Sequence, residues 1–495
     1  MTSKLIQQVA KRITVDYCRL TFVRNTDGFL NDVEVCTLLN LECRIEVVRG
    51  TQLQLRLHYE LEYKSRPDER FVYVCQQTDT LLPDMLQEGK VLDFSVSDLF
   101  PLFADKVLIR RQPLQVLEWL YDEVGLRRIS LSEGRLLVET LQRRYDEQRN
   151  NSVSHLRERL QRIDVNWSDC QKTIDAVSAV MVDAIKAGVI EDLDSDIERI
   201  NIQFQYWLNE HYFAMLQSNP LLNAKSVNKI LPHLAANYQH EDKVALMVID
   251  GLAYWQYIVL KRYLDSLGVK TQDSTIVSWL PSITMLSRQA IFRGNTPAMD
   301  YHQSPDNERK LWRSYWQSQG IGQFETQYIS DDDEFAINEG VKRLAVVTVE
   351  MDKKMHSSYD YRDLLSLTEN WCPRIATKIK TIIEAGYTLY LTTDHGSVLS
   401  KGWRSLTQVE KVFLYKDGSR GKRHLMYNNV EEYQRFAKEN SELEMLAHDH
   451  WLCMRRNLCF ARDNERMITH GGSHFEEVVI PFVKVKSDKF ATALK

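Results

Sequence analysis

Short apolar runs in the C-terminal half of the chain lead directly into side chains able to bind a metal ion. Ile249 is followed by Asp250, Val349 by Asp352 and His356, and Leu391 by Asp394 and His395, while Ser278 leads into the turn Pro281-Ser282-Ile283-Thr284. His470, in Thr469-His470-Gly471-Gly472, precedes a last apolar run. Carboxylates and imidazoles without thiolate suit zinc, manganese or similar divalent ions, and magnesium or calcium are less suited to several histidines. Asp352 and His356 stand one helical turn apart and can share an ion from one helix face. Asp394 and His395 are adjacent, so they can converge only in a loop past a strand end, where Gly396 is expected to permit a sharp turn. Each piece alone has a bland alternative, a helix cap or a structural loop.

These groups need elements that bring them to one place. The apolar runs at 244–249, 275–278, 344–349, 388–391 and 478–485 alternate with helical spacing. That pattern predicts βαβ units and a parallel sheet covered on both faces, with ligands bound outside the carboxyl ends of the strands. Earlier in the chain, Leu53, Leu55, Leu57, Tyr59, Leu61 and Tyr63 alternate with polar residues, which predicts a half-buried strand. Residues 71–75 read as the next strand, giving an antiparallel pair across the Arg66-Pro67-Asp68 turn. The expected organisation is a small α/β module over 1–112, a helical middle region over 113–240 and a catalytic domain over 241–495.

Composition sets the outer limits. At 495 residues the chain exceeds what one hydrophobic core usually supports. A net charge of −5 argues against coating nucleic acid through a global field and leaves a local basic cleft open. Eight cysteines occur without a CxxC pair, which speaks against a thiolate zinc site or a disulfide framework. The start, MTSKLIQQVAKRI, lacks the apolar run of a secretory signal, and no apolar stretch approaches a bilayer span. A cytoplasmic protein without membrane contact is expected.

The ordered series VIDGLAYW, LPSITMLSR, EMDKKMH, TTDHGS and THGGSHFEEVVIPFV resembles the PglZ family of the alkaline-phosphatase-like superfamily, whose members occur in bacterial phage-defence islands of the BREX type. The resemblance covers roughly residues 240–490. Single motifs are short enough to arise by chance, and five in order are not. It implies an α/β fold, an alkaline-phosphatase-like, doubly wound, mostly parallel sheet following the small α/β module and the helical region. It further implies two divalent ions, with zinc preferred: one on Asp250, Asp394, His395 and the hydroxyl of Thr284, the other on Asp352, His356 and His470. Thr284 is the implied nucleophile, which fits the weakness of a hydroxyl until a cation favours its alkoxide. Ser282 and Ser287 are competing hydroxyls, and His474 is the alternative to His470. His470 is preferred because two glycines follow it, giving the backbone room to approach the metal or phosphate. Glu476 and Glu477 are expected to orient ligands or cap backbone.

Substrate charge must also be met. After Asp394-His395 the chain supplies Lys401, Arg404, Lys411, Lys416, Arg420, Lys422 and Arg423, with Trp403 available for stacking. These form a candidate phosphate cradle, with Lys401, Arg404, Arg420 and Arg423 as its main members, and a basic surface loop is the bland alternative. The expected activity is phosphodiesterase or phosphatase action on nucleotides or nucleic acid, through a phospho-threonine intermediate and alongside other components of a defence system. The alternative is a metal-stabilised assembly or regulatory component of a BREX-like complex with little catalysis. A phosphomutase ranks below both, because the interval from Thr284 to Asp352 is short for the inserted domain such enzymes need.

Overall fold

The computed structural model describes residues 3–486 apart from 76–82, 126, 220–222, 299, 359, 416–421 and 449–450. The chain forms two compact units, Met1–Ser152 and Val153–Lys495. In the first, a four-stranded sheet runs in the order Ile45–Val48, Arg70–Cys75, Leu20–Asn25, Lys90–Phe94, and every neighbouring pair is parallel. Alternate side chains serve opposite faces. Val23 and Val72 join one core with the helices Lys4–Ile13 and Leu114–Val124, while Phe22, Phe71 and Tyr73 join another.

Two expectations about this unit fail. Residues 53–63 form no strand: Gln52–His58 is an α-helix that continues as a π-helical turn, Tyr59–Tyr63. The alternating pattern contains a helical one, since Leu55, Tyr59 and Tyr63 recur every four residues and are buried, while Leu53, Leu57 and Leu61 are 68%, 51% and 67% exposed. Thr51 and Gln54 close a capping box at the start, and Arg56, Glu60 and Lys64 pair along one face. The strand Arg70–Cys75 is real, but both its partners are parallel to it. With a helix in place of the upstream strand, no hairpin can form there.

The second unit holds a six-stranded sheet in the order Lys270–Val277, Val479–Lys486, Thr388–Thr392, Val244–Ile249, Arg343–Thr348, Thr326–Ile329. Val479–Lys486 is antiparallel to both neighbours and the remaining pairs are parallel. This is the expected mostly parallel sheet, and it is doubly wound. Ala245, Met247 and Ile249 pack into a core with the helices Cys170–Lys186, Asp194–Leu216, Tyr254–Ser266 and Tyr361–Glu384. Val244, Leu246 and Val248 face the opposite core, with Ile230–Asn237, Thr284–Arg293 and Pro305–Ser318. The near-continuous apolar strands follow from that double burial. Because the last strand runs backwards, its entering loop lies at the edge where the parallel strands leave.

The helical register at 52–63 is testable by paired substitutions. Leu55→Asp is expected to destabilise the chain by about 3 kcal/mol or more through burial of a charge in a core position, and Leu53→Asp by less than about 0.5 kcal/mol. Denaturant melts of both variants check this; equal losses would return the segment to a strand, in which the two leucines share a face.

Candidate metal centre

At that edge the sheet brings together residues distant in sequence. Asp250 follows the Val244–Ile249 strand, Asp352 and His356 ride on the short helix Glu350–Ser357, and Asp394 and His395 follow the Thr388–Thr392 strand. Thr284 is the first residue of the helix Thr284–Arg293. Its Oγ1 lies 3.0 Å from His395 Nε2 and 3.4 Å from Asp250 Oδ1. His470 comes in from the loop before the last strand, its ring stacked on that of His395 at 3.9 Å between centroids. His356 Nε2 is 3.5 Å and His470 Nε2 3.9 Å from Asp352 Oδ1, and His395 Nε2 is 3.7 Å from Asp250 Oδ1.

Two backbone carbonyls settle which ring nitrogens face the cluster. His395 Nδ1 is 2.9 Å from the Gly396 carbonyl and His470 Nδ1 is 2.9 Å from that of Ser282. A carbonyl only accepts, so each Nδ1 carries a proton, and in the neutral ring each Nε2 presents its lone pair toward the carboxylates. The competing hydroxyls are occupied elsewhere. Ser282 Oγ donates to the Gly472 carbonyl at 2.8 Å and accepts from Gly471 N at 3.1 Å, and Ser287 Oγ accepts from Trp279 N at 3.2 Å. His474 is buried apart from the cluster, capping the short helix Phe475–Val478 and accepting from Glu476 N at 3.3 Å.

The glycines work differently from the sequence expectation. Gly396 adopts no left-handed conformation; a Cβ there would lie 2.0 Å from the Glu476 carbonyl oxygen, so the residue is needed for close approach. Beside His470, a Cβ on Gly472 would lie 2.4 Å from Arg423 Nη2 and one on Gly471 2.6 Å from His424 Nδ1. The backbone there closes on Arg423 and His424.

Three carboxylates sharing a low-dielectric site resist ionising together. Burial, and then the Asp250 charge, push Asp352 up to about 7 and Asp394 up to about 6. Burial alone would lower His395, yet Asp394, Asp250 and Asp352 together raise it. Burial and the His395 charge hold His470 well below the usual imidazole value, and His356 is lowered by burial, His395 and the nearby Lys422. Asp352 Oδ1 and Asp394 Oδ2 are buried without a hydrogen-bond partner. Oriented imidazole lone pairs facing unpartnered carboxylate oxygens fit divalent cations. Two groups have ligand atoms within 4.8 Å of one another, Asp352 with His356 and His470, and Asp250 with Asp352 and His395. Asp352 stands in both, so it lies between the two positions.

One strong feature escaped the sequence. Arg288, one helical turn after Thr284, donates to Asp250 Oδ2 at 2.8 Å and to Glu308 Oε2 at 2.5 Å, all three side chains being almost fully buried. Glu308 in turn accepts from the Tyr328 hydroxyl at 2.5 Å. Asp250 thereby keeps Oδ1 toward Thr284. The four-residue spacing to Thr284 was a visible signal; Glu308, on another helix, gave none. Arg423 is also buried, spending its donors on Glu477 at 2.9 and 2.7 Å, on Ser400 and on two backbone carbonyls. Arg404 pairs with Glu410 at 3.0 and 2.7 Å and lies over Trp403. Lys401 is exposed on the Val398–Gly402 strand, and Arg420 lies outside the described residues. None of Lys401, Arg404 and Arg423 contacts the carboxylate cluster, whereas the charge of Lys422 reaches His356.

A doubly wound sheet with an aspartate, histidine and threonine cluster at its carboxyl edge defines an alkaline-phosphatase-like domain. The model of the BREX system PglZ alkaline phosphatase-like domain matches residues 228–485, and the chain belongs to that family. Murine ectonucleotide pyrophosphatase / phosphodiesterase 5 is similar at 11% identity over 49% of this chain and 88% of its own, with a TM-score of 0.35. Phosphonoacetate hydrolase from Sinorhizobium meliloti is similar at 11% identity over 49% of this chain and 89% of its own, with a TM-score of 0.32. None of the curated proteins matches the chain. Among the described residues no helix is long and apolar enough to cross a membrane.

The crowding fixes how the metal-free chain responds to pH. A carboxyl whose folded value is raised carries no penalty below its ordinary value of about 4, and loses stability as pH climbs to the folded value. For these groups that window ends at about 6 for Asp394 and about 7 for Asp352. In chelator, Asp352→Asn is expected to melt with the parent below the window and about 2 °C or more higher above it, because the substitution removes the raised carboxyl while the buried histidines, whose lowered values act in the opposite sense, are common to both. Thermal melts in chelator from acid to neutral pH measure this; an unchanged or lower value for the variant would contradict it.

Proposed function

We propose that this chain is a metal-dependent phosphoryl-transfer hydrolase acting on phosphate esters of nucleotides or nucleic acid, in the cytoplasm, as part of a phage-defence system. The observation that carries the reading is the Thr284 hydroxyl, held within 3.4 Å of Asp250 and 3.0 Å of His395 beside carboxylate oxygens that lack partners. Asp250, Asp394, His395 and Thr284 would hold one divalent ion, and Asp352, His356 and His470 the other, with zinc or manganese suited to this donor set. When bound, the pair would favour the threonine alkoxide and offset the charge that develops during in-line displacement at phosphorus.

The rest falls to the chain's own groups. Thr284 Oγ1 forms a bond to phosphorus as the ester P–O bond breaks, its proton passing to solvent and the bonding pair leaving with the ester oxygen. Water then cleaves the phospho-threonine, releasing the phosphoryl group and restoring the hydroxyl. Its place at the first turn of the Thr284–Arg293 helix sets backbone N–H groups near the incoming phosphoryl oxygens. Arg288, engaged by Asp250 and Glu308, fixes the carboxylate and is not free to clamp substrate.

Thr284→Ala should keep its fold and bound metal while losing turnover of a nitrophenyl phosphodiester by on the order of 10³-fold or more. Acid quench of the wild-type reaction followed by peptide mass spectrometry should find phosphate on Thr284. Retained turnover in the variant would move the role to a metal-activated water, and two bound ions without any turnover would favour the assembly reading.

A further inference from the structure

The Leu280–Thr284 turn has a second side. Against it lies a cavity of about 450 Å³ lined by Leu208, Tyr212, Phe213, Leu280, Trp451 and Arg455 among others. Tyr212 ties the cavity wall to the turn, its hydroxyl accepting from Leu280 N at 2.8 Å. Trp451 packs against the small cluster of Ile283, Leu286 and Met426, so one wall of the cavity backs the residue next to Thr284. Phe213 is 53% exposed, and its ring and that of Trp451 both pack on His448, which also lines the cavity, at 4.9 and 5.5 Å between centroids.

Arg455 supplies the charge. It is part-buried, and among the described residues its guanidinium has neither an ion pair nor a hydrogen bond, the Glu444 carboxylate acting on it only at longer range; its carbonyl accepts from Asn201 Nδ2 at 2.9 Å. A part-buried guanidinium without a partner calls for an anion. Aromatic faces beside one such cation suit a planar ring attached to a phosphate. From Leu280 to Thr284 the chain spans at most about 14 Å, within reach of one ester bound at both places.

We propose that this cavity is the subsite for a nucleobase and its neighbouring phosphate, placing a short single strand so that its next phosphodiester meets Thr284. This deepens the hydrolase reading and rests on it. Stacking needs Phe213 and Trp451, and the flanking phosphate needs Arg455; no base edge is read, so the preference is for a nucleic-acid strand over a small ester, with little sequence selectivity.

The test is calorimetric binding of a 5′-phosphorylated thymidine dinucleotide to the full-length, metal-loaded chain in a Thr284→Ala background. Phe213→Ala and Arg455→Gln are each expected to weaken binding about tenfold or more, with melting temperatures kept. Phe324→Ala, which removes an aromatic ring 89% exposed elsewhere, is expected to leave binding as it was. Undiminished affinity in both cavity variants, or no binding by the parent, would overturn the proposal. Residual hydrolysis of the probe by the Thr284→Ala parent would instead count against Thr284 as nucleophile, while the binding ratios would still decide the cavity.

Discussion

Repulsion among Asp250, Asp352 and Asp394 is the constraint on which the rest of the second unit depends. The Asp250 charge raises both Asp352 and Asp394, Asp394 also raises Asp352, and each of these two has an oxygen that no hydrogen bond satisfies. Such a group is costly in a folded protein unless cations are supplied. The chain supplies part of the compensation. Arg288 lies against Asp250, and its charge also lowers Asp352 and Asp394, but Glu308 shares that guanidinium. The remainder is what the divalent ions of the proposed function would neutralise, so a loss of stability without metal and an affinity for metal would have one cause.

Holding this arrangement requires a rigid frame, and the burial of the frame follows from it. The strands Val244–Ile249 and Thr388–Thr392, buried apart from Thr388, end at the sheet edge, where Asp250 stands in a turn and Asp394 in a bend just past them. Around them the backbone is drawn in: Gly396 touches the carbonyl of Glu476, and Gly472 lies against Arg423. The buried Arg423–Glu477 pair therefore serves as scaffold for the loop that carries His470, with Glu477 Oε1 also accepting from Gly472 N at 2.8 Å. Breaking one partner would leave a buried charge unpaired behind that loop.

How far the sequence could be read varied with the physical signal. The central strands are buried on both faces, so their composition is mostly apolar, and the residues following each run mark the sheet edge, which singled out Asp250, Asp352, His356, Asp394 and His395. Thr284 and His470 were preferred over Ser282, Ser287 and His474 through the family resemblance, and the fold brings all seven close together. The segment 53–63 was misread because leucine alternation and a four-residue repeat coexist in it, and only burial of Leu55, Tyr59 and Tyr63 decides between them. The Arg288–Glu308 pair joins two helices, and nothing local in either announces the other. The basic residues after His395 were visible as charges, yet charge alone does not reveal that Arg404 has Glu410, or that Arg423 has Glu477.

The most direct measurement is the metal content of the chain. After loading with zinc or manganese and removal of free ion, native mass spectrometry of the wild type should show two divalent ions per chain, and of His356→Ala one. A wild type that retains no ion, or a His356→Ala variant that still retains two, would contradict the two-metal account.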